Sequence, residues 1–266
     1  MKQVLAAVRR GVGAVRHRLR ARRFRPYLMR KSLAGEEFSI LIGDLEASYL
    51  YDRVHAWPEL AFVAEALIEP GDLVADCGAN HGLTGLLFAR KVGSSGKVIA
   101  FEPNPRNAEI ARINARVNAI DNLEIREHAL GSARGTVFFR PEMNGSVTHA
   151  GDAGAIRVEC VTLDEAFAER APDLLKIDVE GYELEVLAGA RRVLSARPKF
   201  DVEIHVDTFR DPRASLRELF DLLDVPAYQT YVQRSIDGPI TEVALDASAL
   251  SELAVLRNVH LFGRPR

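Results

Sequence analysis

A chain of 266 residues, 47% hydrophobic and 27% charged, can bury one large core or at most two small ones. Its two cysteines, Cys77 and Cys160, lie far apart and show no CxxC or Cys/His spacing, which argues against a disulfide scaffold or a zinc site and for a reducing compartment. No apolar run approaches the roughly 18 to 20 residues of a membrane span, and the formal charge of -2 hides an asymmetry: eleven of the 35 Lys/Arg and none of the 37 Asp/Glu fall within the first 31 residues.

Residues 1–34 therefore read as a basic arm on an acidic body that spans 35–266. Val4, Leu5, Val8, Val12, Val15 and Leu19 recur at helical spacing with arginines between them, the pattern of a basic amphipathic helix. Such a helix suits an anionic membrane surface, and equally a helix packed on the body or an organellar transit peptide. The expected location is the cytoplasm, with peripheral membrane contact as an option. An acidic body gives no reason to expect nucleic acid as a partner.

Past the arm, EEFSILIG (Glu36 to Gly43) alternates as a strand does. PELAFVAEALIEPG (Pro58 to Gly71) has Pro in the first turn of a helix and Pro-Gly at its stop. From Asp72 onward, apolar runs alternate with helical ones. LVADC precedes GLTGLLFARKV, KVIAFE precedes AEIARINARVNA, LLKID precedes ELEVLAGARRVL, and FDVEIH precedes ASLRELFDLLD. This alternation predicts an α/β fold, a mostly parallel sheet with helices on both faces, carrying an N-terminal helical extension.

In such a sheet, ligands sit outside the carboxyl ends of the strands, and the first strand-to-helix turn is the most diagnostic place. Here it reads DCGANHG, from Asp76 to Gly82. The glycines, Gly78 and Gly82, are spaced GxxxG rather than GxGxxG, so the turn is not shaped around a dinucleotide pyrophosphate. It suits a ligand with a ribose and a charged amino-acid tail. Glu102, at the end of KVIAFE, can accept both ribose hydroxyl protons.

The succession VADCGANHG, VIAFEPNPRN, HALG, VTLDEAF and LLKIDVEGYELEVLAGA resembles the FkbM-type family of S-adenosylmethionine-dependent methyltransferases, from about Pro70 to His205. The resemblance implies a Rossmann-like class I methyltransferase fold with S-adenosyl-L-methionine as cofactor. Its carboxypropyl tail would lie near Asp76, Gly78 and Asn80, its ribose on Glu102, and its adenine between Pro103 and His128-Ala129. Cys77 departs from the more usual Val, a small apolar exchange. The family further implies O-methylation of a hydroxyl on a sugar, glycolipid or natural product. A non-catalytic cofactor-binding module and a nicotinamide oxidoreductase stay open as other readings.

Methyl transfer is an in-line displacement, so the protein must align the acceptor and can take its proton. Two strand ends point at the reacting region. LLKIDVEG brings Asp178 and Glu180 to the exit of one strand. FDVEIH alternates Phe200, Val202 and Ile204 with Asp201, Glu203 and His205, unusual for a central strand that is normally apolar on both faces. Those polar residues are either paired with Lys176 or Arg191, or face the acceptor. His205 is the first candidate for general base and Asp178 the second, with Glu180, Glu203 and Asn144 as acceptor contacts. Asn144 lies in the polar, Gly-rich stretch from Arg140 to Ala155, long enough for a recognition loop. No metal cofactor is expected, although Asp178, Glu180, Glu203 and His205 could together hold a divalent cation.

Overall fold

The protein is described here by a computed structural model covering residues 23–53, 57–141, 145–235 and 237–266. The predicted amphipathic helix from Val4 to Leu19 lies outside the described residues, as does Asn144. The first described element is an antiparallel hairpin of β1 (Tyr27–Leu33) and β2 (Glu36–Ile42). The boundary expected after residue 34 falls in its turn, where Ala34 and Gly35 both take positive φ. Residues 27–33, assigned to the arm on charge, therefore form a strand. Within it Lys31 is only 7% exposed and donates to the Tyr51 carbonyl at 2.6 Å.

Helix α1 (Leu45–Arg53) follows, then α2 (Pro58–Phe62), which continues as one π turn through Leu67. Strands β3 (Leu73–Cys77), β4 (Lys97–Phe101) and β5 (Leu123–Arg126) alternate with helices α3 (Leu83–Val92) and α4 (Pro105–Val117). A four-strand insertion comes next: β6 (Ala129–Leu130), β7 (Gly135–Arg140), β8 (Ser146–Thr148) and β9 (Ile156–Val161). The chain then forms α5 (Leu163–Ala166), β10 (Leu174–Ile177), α6 (Glu183–Ala188), α7 (Arg191–Ser195) and β11 (Lys199–Ile204). It closes with α8 (Pro212–Leu223), β12 (Tyr228–Gln233), β13 (Ile240–Glu242), α9 (Ala247–Leu253) and β14 (Val259–Pro265).

The main sheet has the order β13-β12-β14-β11-β10-β3-β4-β5. Strands β11, β10, β3, β4 and β5 run parallel, and β14 enters antiparallel between β11 and β12. This is the α/β arrangement expected from the alternation, and it has the Rossmann-like form that the family resemblance implies. Both faces are covered, which is why the central strands read as nearly unbroken apolar runs. On one face Ala75, Cys77 and Ile177 pack with Val186, Val193 and Leu219. On the other Val74, Val98 and Ala100 pack with Leu86, Phe88, and Phe38 and Ile40 of the hairpin.

The hairpin is held by more than apolar contact. Asn114 of α4 and Asn118 at its C-terminal cap accept the backbone N–H groups of Leu41 and Ser39 at 2.7 and 2.9 Å. These bonds occupy part of a strand edge that would otherwise face outward. Asn114 also donates to the His81 carbonyl at 2.9 Å, tying the hairpin to the turn after β3. One expected helix is split: ELEVLAGARRVL breaks at Gly189-Ala190 into α6 and α7. A Cβ at Gly189 would stand 2.1 Å from the Gly131 carbonyl oxygen, so the break permits close contact with the insertion.

Candidate functional site

The turn after β3 is built by its neighbour strand. Gly78 and Ala79 both donate to the Phe101 carbonyl at 3.0 Å, which seats the turn on the end of β4. Asn80 takes φ 49, a left-handed conformation that Asn tolerates, and aims its N–H at Glu102 Oε2, 2.7 Å away. The Asn104 N–H donates to Glu102 Oε1 at 2.9 Å. Glu102, 3% exposed, is thus fixed by two backbone donors; burial pushes its carboxyl up to about 7 while those donors pull the other way. Each of its oxygens keeps a lone pair for a further donor.

Gly78 and Gly82 are required by packing. A Cβ at Gly78, φ 92, would lie 1.8 Å from the Asp178 carbonyl oxygen, so this glycine lets the ends of β3 and β10 meet. A Cβ at Gly82 would lie 2.8 Å from Cβ of Ala111, so this one brings α3 against α4. Asp76 departs from expectation. It is fully buried, packs toward Gly85 of α3, and does not reach the cavity wall. Neither of its carboxylate oxygens has a hydrogen-bond partner among the described residues. Burial pushes its carboxyl up, and the Lys176 ammonium 3.9 Å away opposes this. Asp76 thus sits beneath the turn, behind the residues that line the cavity. Gly82 likewise stands outside the wall.

A cavity of about 500 Å³ opens on this turn. Gly78, Asn80, Glu102, Pro103, His128 and Ala129 line one end of it. Phe139, Gly145 and Val147 bring the insertion to the wall, so part of the Arg140–Ala155 stretch is a β7-β8 hairpin bordering the cavity. The other end is formed by the exits of β10, β11 and β14 and carries Asp178, Glu180, Glu203 and His205. Both predicted groups thus share one cavity.

At this second end the charges interlock. His205, just past β11, places Nδ1 2.9 Å from Glu183 Oε1 and Nε2 3.2 Å from Glu180 Oε2. Glu183, fully buried, also accepts the Gly181 N–H at 2.8 Å. Burial works to lower the His205 value, but the hydrogen bonds to Glu180 and Glu183 outweigh it and carry it up to about 11. Both ring nitrogens are engaged by carboxylates, which favours the imidazolium form and disfavours the role of general base expected of His205. Asp178 differs: burial pushes it up to about 6, while Lys176, with Nζ 3.0 Å from its Oδ2, pulls it down.

Sequence reasoning missed Glu59, Glu183, Asn258 and His260. His260 on β14 pairs in register with Glu203. Its Nδ1 is 3.1 Å from Asp201 and its Nε2 3.4 Å from Glu203. It, rather than Arg191, answers the carboxylates of FDVEIH. Burial opposes its charge, but Asp201 and Glu203 raise it to about 10, and Glu203 in turn is held down to about 2 despite burial. Asn258 donates to Glu203 Oε1 at 2.6 Å. The alternation in RNVHLFG, with Asn258 and His260 two apart, is the signal that could have found this partner. Donor atoms of Asp178, Glu203 and His205 lie within 4.8 Å of one another, close enough to share a divalent cation. Lys176 and the two imidazolium groups already supply positive charge there.

The model of the FkbM methyltransferase domain matches residues 76–231, which include Gly78, Glu102, Asp178, Glu203 and His205 of this cavity but not Glu59 or His260. The chain belongs to the FkbM methyltransferase family. Among relatives, the 2-O-methyltransferase NoeI of Sinorhizobium fredii is 25% identical over 203 residues, 67% of this chain and 82% of that protein. The hexuronic acid methyltransferase AglP of Haloferax volcanii is 30% identical over 150 residues, 54% of this chain and 60% of that protein. The crystal structure of methyltransferase FkbM from Methylobacillus flagellatus aligns at 20% identity with TM-score 0.49, over 74% of this chain and 45% of that one. This FkbM protein is an S-adenosylmethionine-dependent methyltransferase. Membership sets aside the nicotinamide oxidoreductase.

Proposed function

We propose that this FkbM enzyme methylates a hydroxyl of a sugar, free or carried on a glycolipid or natural product. The observation that carries the reading is the single cavity joining the Glu102 end to the Asp178 end. Glu102, with its two backbone donors and remaining lone pairs, fits a ribose diol. Pro103, His128 and Ala129 would border the adenine, and Gly78 and Asn80 the amino-acid tail. When bound, S-adenosylmethionine supplies an electrophilic methyl group. The protein's part is to hold the acceptor hydroxyl in line and remove its proton, a role suited to Asp178. Glu180 and Glu203, held in place by His205 and His260, would accept further hydroxyl donors, as a polyhydroxylated acceptor requires. The names of the two relatives, a 2-O-methyltransferase and a hexuronic acid methyltransferase, support a sugar-like acceptor.

The test is methyl transfer from labelled S-adenosylmethionine to a panel of glycosides and glycolipids, with non-sugar alcohols alongside. Label on glycosides is expected, and label on non-sugar alcohols alone would overturn the reading. Among the described residues no helix is long and apolar enough to cross a membrane. The basic sequence of residues 1–22 supports peripheral contact with anionic lipid, worth about 1 kcal/mol per basic residue near the surface. Sedimentation with phosphatidylserine vesicles at low salt, lost when residues 1–22 are deleted, is the expected result. Equal sedimentation of both proteins would refute it.

A further inference from the structure

The acceptor end of the cavity carries a charge imbalance that bears on which sugar it admits. Among the described lining residues, Glu59, Asp178, Glu180, Asp201, Glu203 and Asp207 are acidic. The cations beside them are already engaged. Lys176 is 3.0 Å from Asp178, His205 3.2 Å from Glu180, His260 3.1 Å from Asp201, and the Arg257 Nε 3.0 Å from Asp207. An acidic sugar would bring one more negative charge to this wall and would have to compete with a carboxylate for each of these cations. Like-charge juxtaposition of this kind is a standard means of rejecting a ligand.

Glu59 adds an independent observation. It stands on α2, 6% exposed, with its side chain on the cavity wall. Its Oε2 has no hydrogen-bond partner among the described residues. A buried acceptor left in that state costs stability unless a ligand donor reaches it. Its neighbours Asp201 and Glu203 each have one oxygen engaged, by His260 and Asn258, and Asp201 Oδ2 shares with Glu59 Oε2 the lack of a partner among the described residues. Burial, with those two negative charges, pushes the Glu59 carboxyl up to about 7.

We infer that the acceptor ring is an uncharged sugar without a carboxylate substituent, and that Glu59 accepts a hydrogen bond from one of its hydroxyls other than the one methylated. This rests on the sugar-acceptor reading above and narrows it. It also separates this enzyme's acceptor from that of the relative named for a hexuronic acid. Glu59 is then a specificity-determining residue, supplied by a helix outside the segment matched by the family model.

The test uses the full-length protein, labelled S-adenosylmethionine and matched pairs of methyl glycosides in the gluco, galacto and manno series. The members of each pair differ only in a C6 hydroxymethyl or carboxylate group. The neutral member of any pair that is used should exceed the acidic one by at least about tenfold in kcat/KM, equivalent to about 1.4 kcal/mol of discrimination. Glu59→Gln, checked for unchanged S-adenosylmethionine affinity, should reduce that ratio severalfold. Equal or preferred use of the acidic member overturns the inference and leaves the sugar reading standing. Label on neither member of any pair, with label on a non-sugar alcohol, overturns the sugar reading and this inference with it. An unchanged ratio in Glu59→Gln removes Glu59 from the recognition, and the ratio for the unsubstituted protein decides the charge selection even if the variant does not fold.

Discussion

The two ends of the cavity are fixed by different physics. At the cofactor end, Glu102 is held by backbone N–H groups of Asn80 and Asn104, donors supplied by any residue whose main chain follows that path. At the acceptor end, Asp178, Glu180, Glu203 and Asp201 are held by side-chain cations, Lys176, His205 and His260. Backbone donors carry no net charge and fix a shape. Ionised partners fix protonation states as well, so the Asp178 end suits the proposed proton transfer while the Glu102 end suits the proposed cofactor fit. The contrast also teaches where tolerance lies: a substitution at Asn80 keeps its N–H, whereas one at His205 leaves a buried carboxylate without its partner.

The largest effect that would test this contrast is on turnover. Asp178→Asn should lower kcat by about 10²-fold or more, the usual contribution of a positioned base, with S-adenosylmethionine affinity retained. Single-turnover kinetics beside cofactor calorimetry would show it. Near-normal turnover would mean that alignment alone drives the reaction. At the other end, Glu102→Ala should weaken S-adenosylmethionine binding by about 1 to 3 kcal/mol, the cost of losing hydrogen bonds to a charged group. Unchanged affinity in calorimetry would break the ribose assignment.

The pH profile gives the smallest but most discriminating effect. A general base must be deprotonated, and burial raises Asp178 to about 6. Below that value log kcat/KM should fall by about one unit per pH unit, and above it the profile should level off. Were His205 the base, its value of about 11 would keep the rate rising through the alkaline range. A plateau near neutrality therefore favours Asp178, and a continued rise favours His205.

Much of the fold was legible because it rests on local periodicity. LVADC, KVIAFE, LLKID and FDVEIH announce parallel strands by being apolar, and the helical runs between them announce crossovers on both faces. Glu102 was legible for a similar reason, since a strand-end acid near a glycine turn is a local pattern. The split of α6 from α7 was not, because it depends on Gly131 approaching Gly189 from the insertion. Asp76 looked like a ligand contact because it opens the DCGANHG turn. Only the packing of α3 shows that its side chain turns away from the cavity.

The sequence by itself determined the alternation of strands and helices, the methyltransferase family and the cofactor, since these depend on residue order within short segments. The tertiary structure alone decided the state of the acceptor end. His205 is a good base in isolation, but Glu183 and Glu180, from a different strand exit, converge on its ring and favour its protonated form. Glu59 and His260 stand about 200 residues apart in the chain, and no local pattern joins them. They meet on one wall because β14 enters beside β11 while α2 packs against that region of the sheet. Protonation depends on the field of everything nearby, and what is nearby is settled only when the chain has folded.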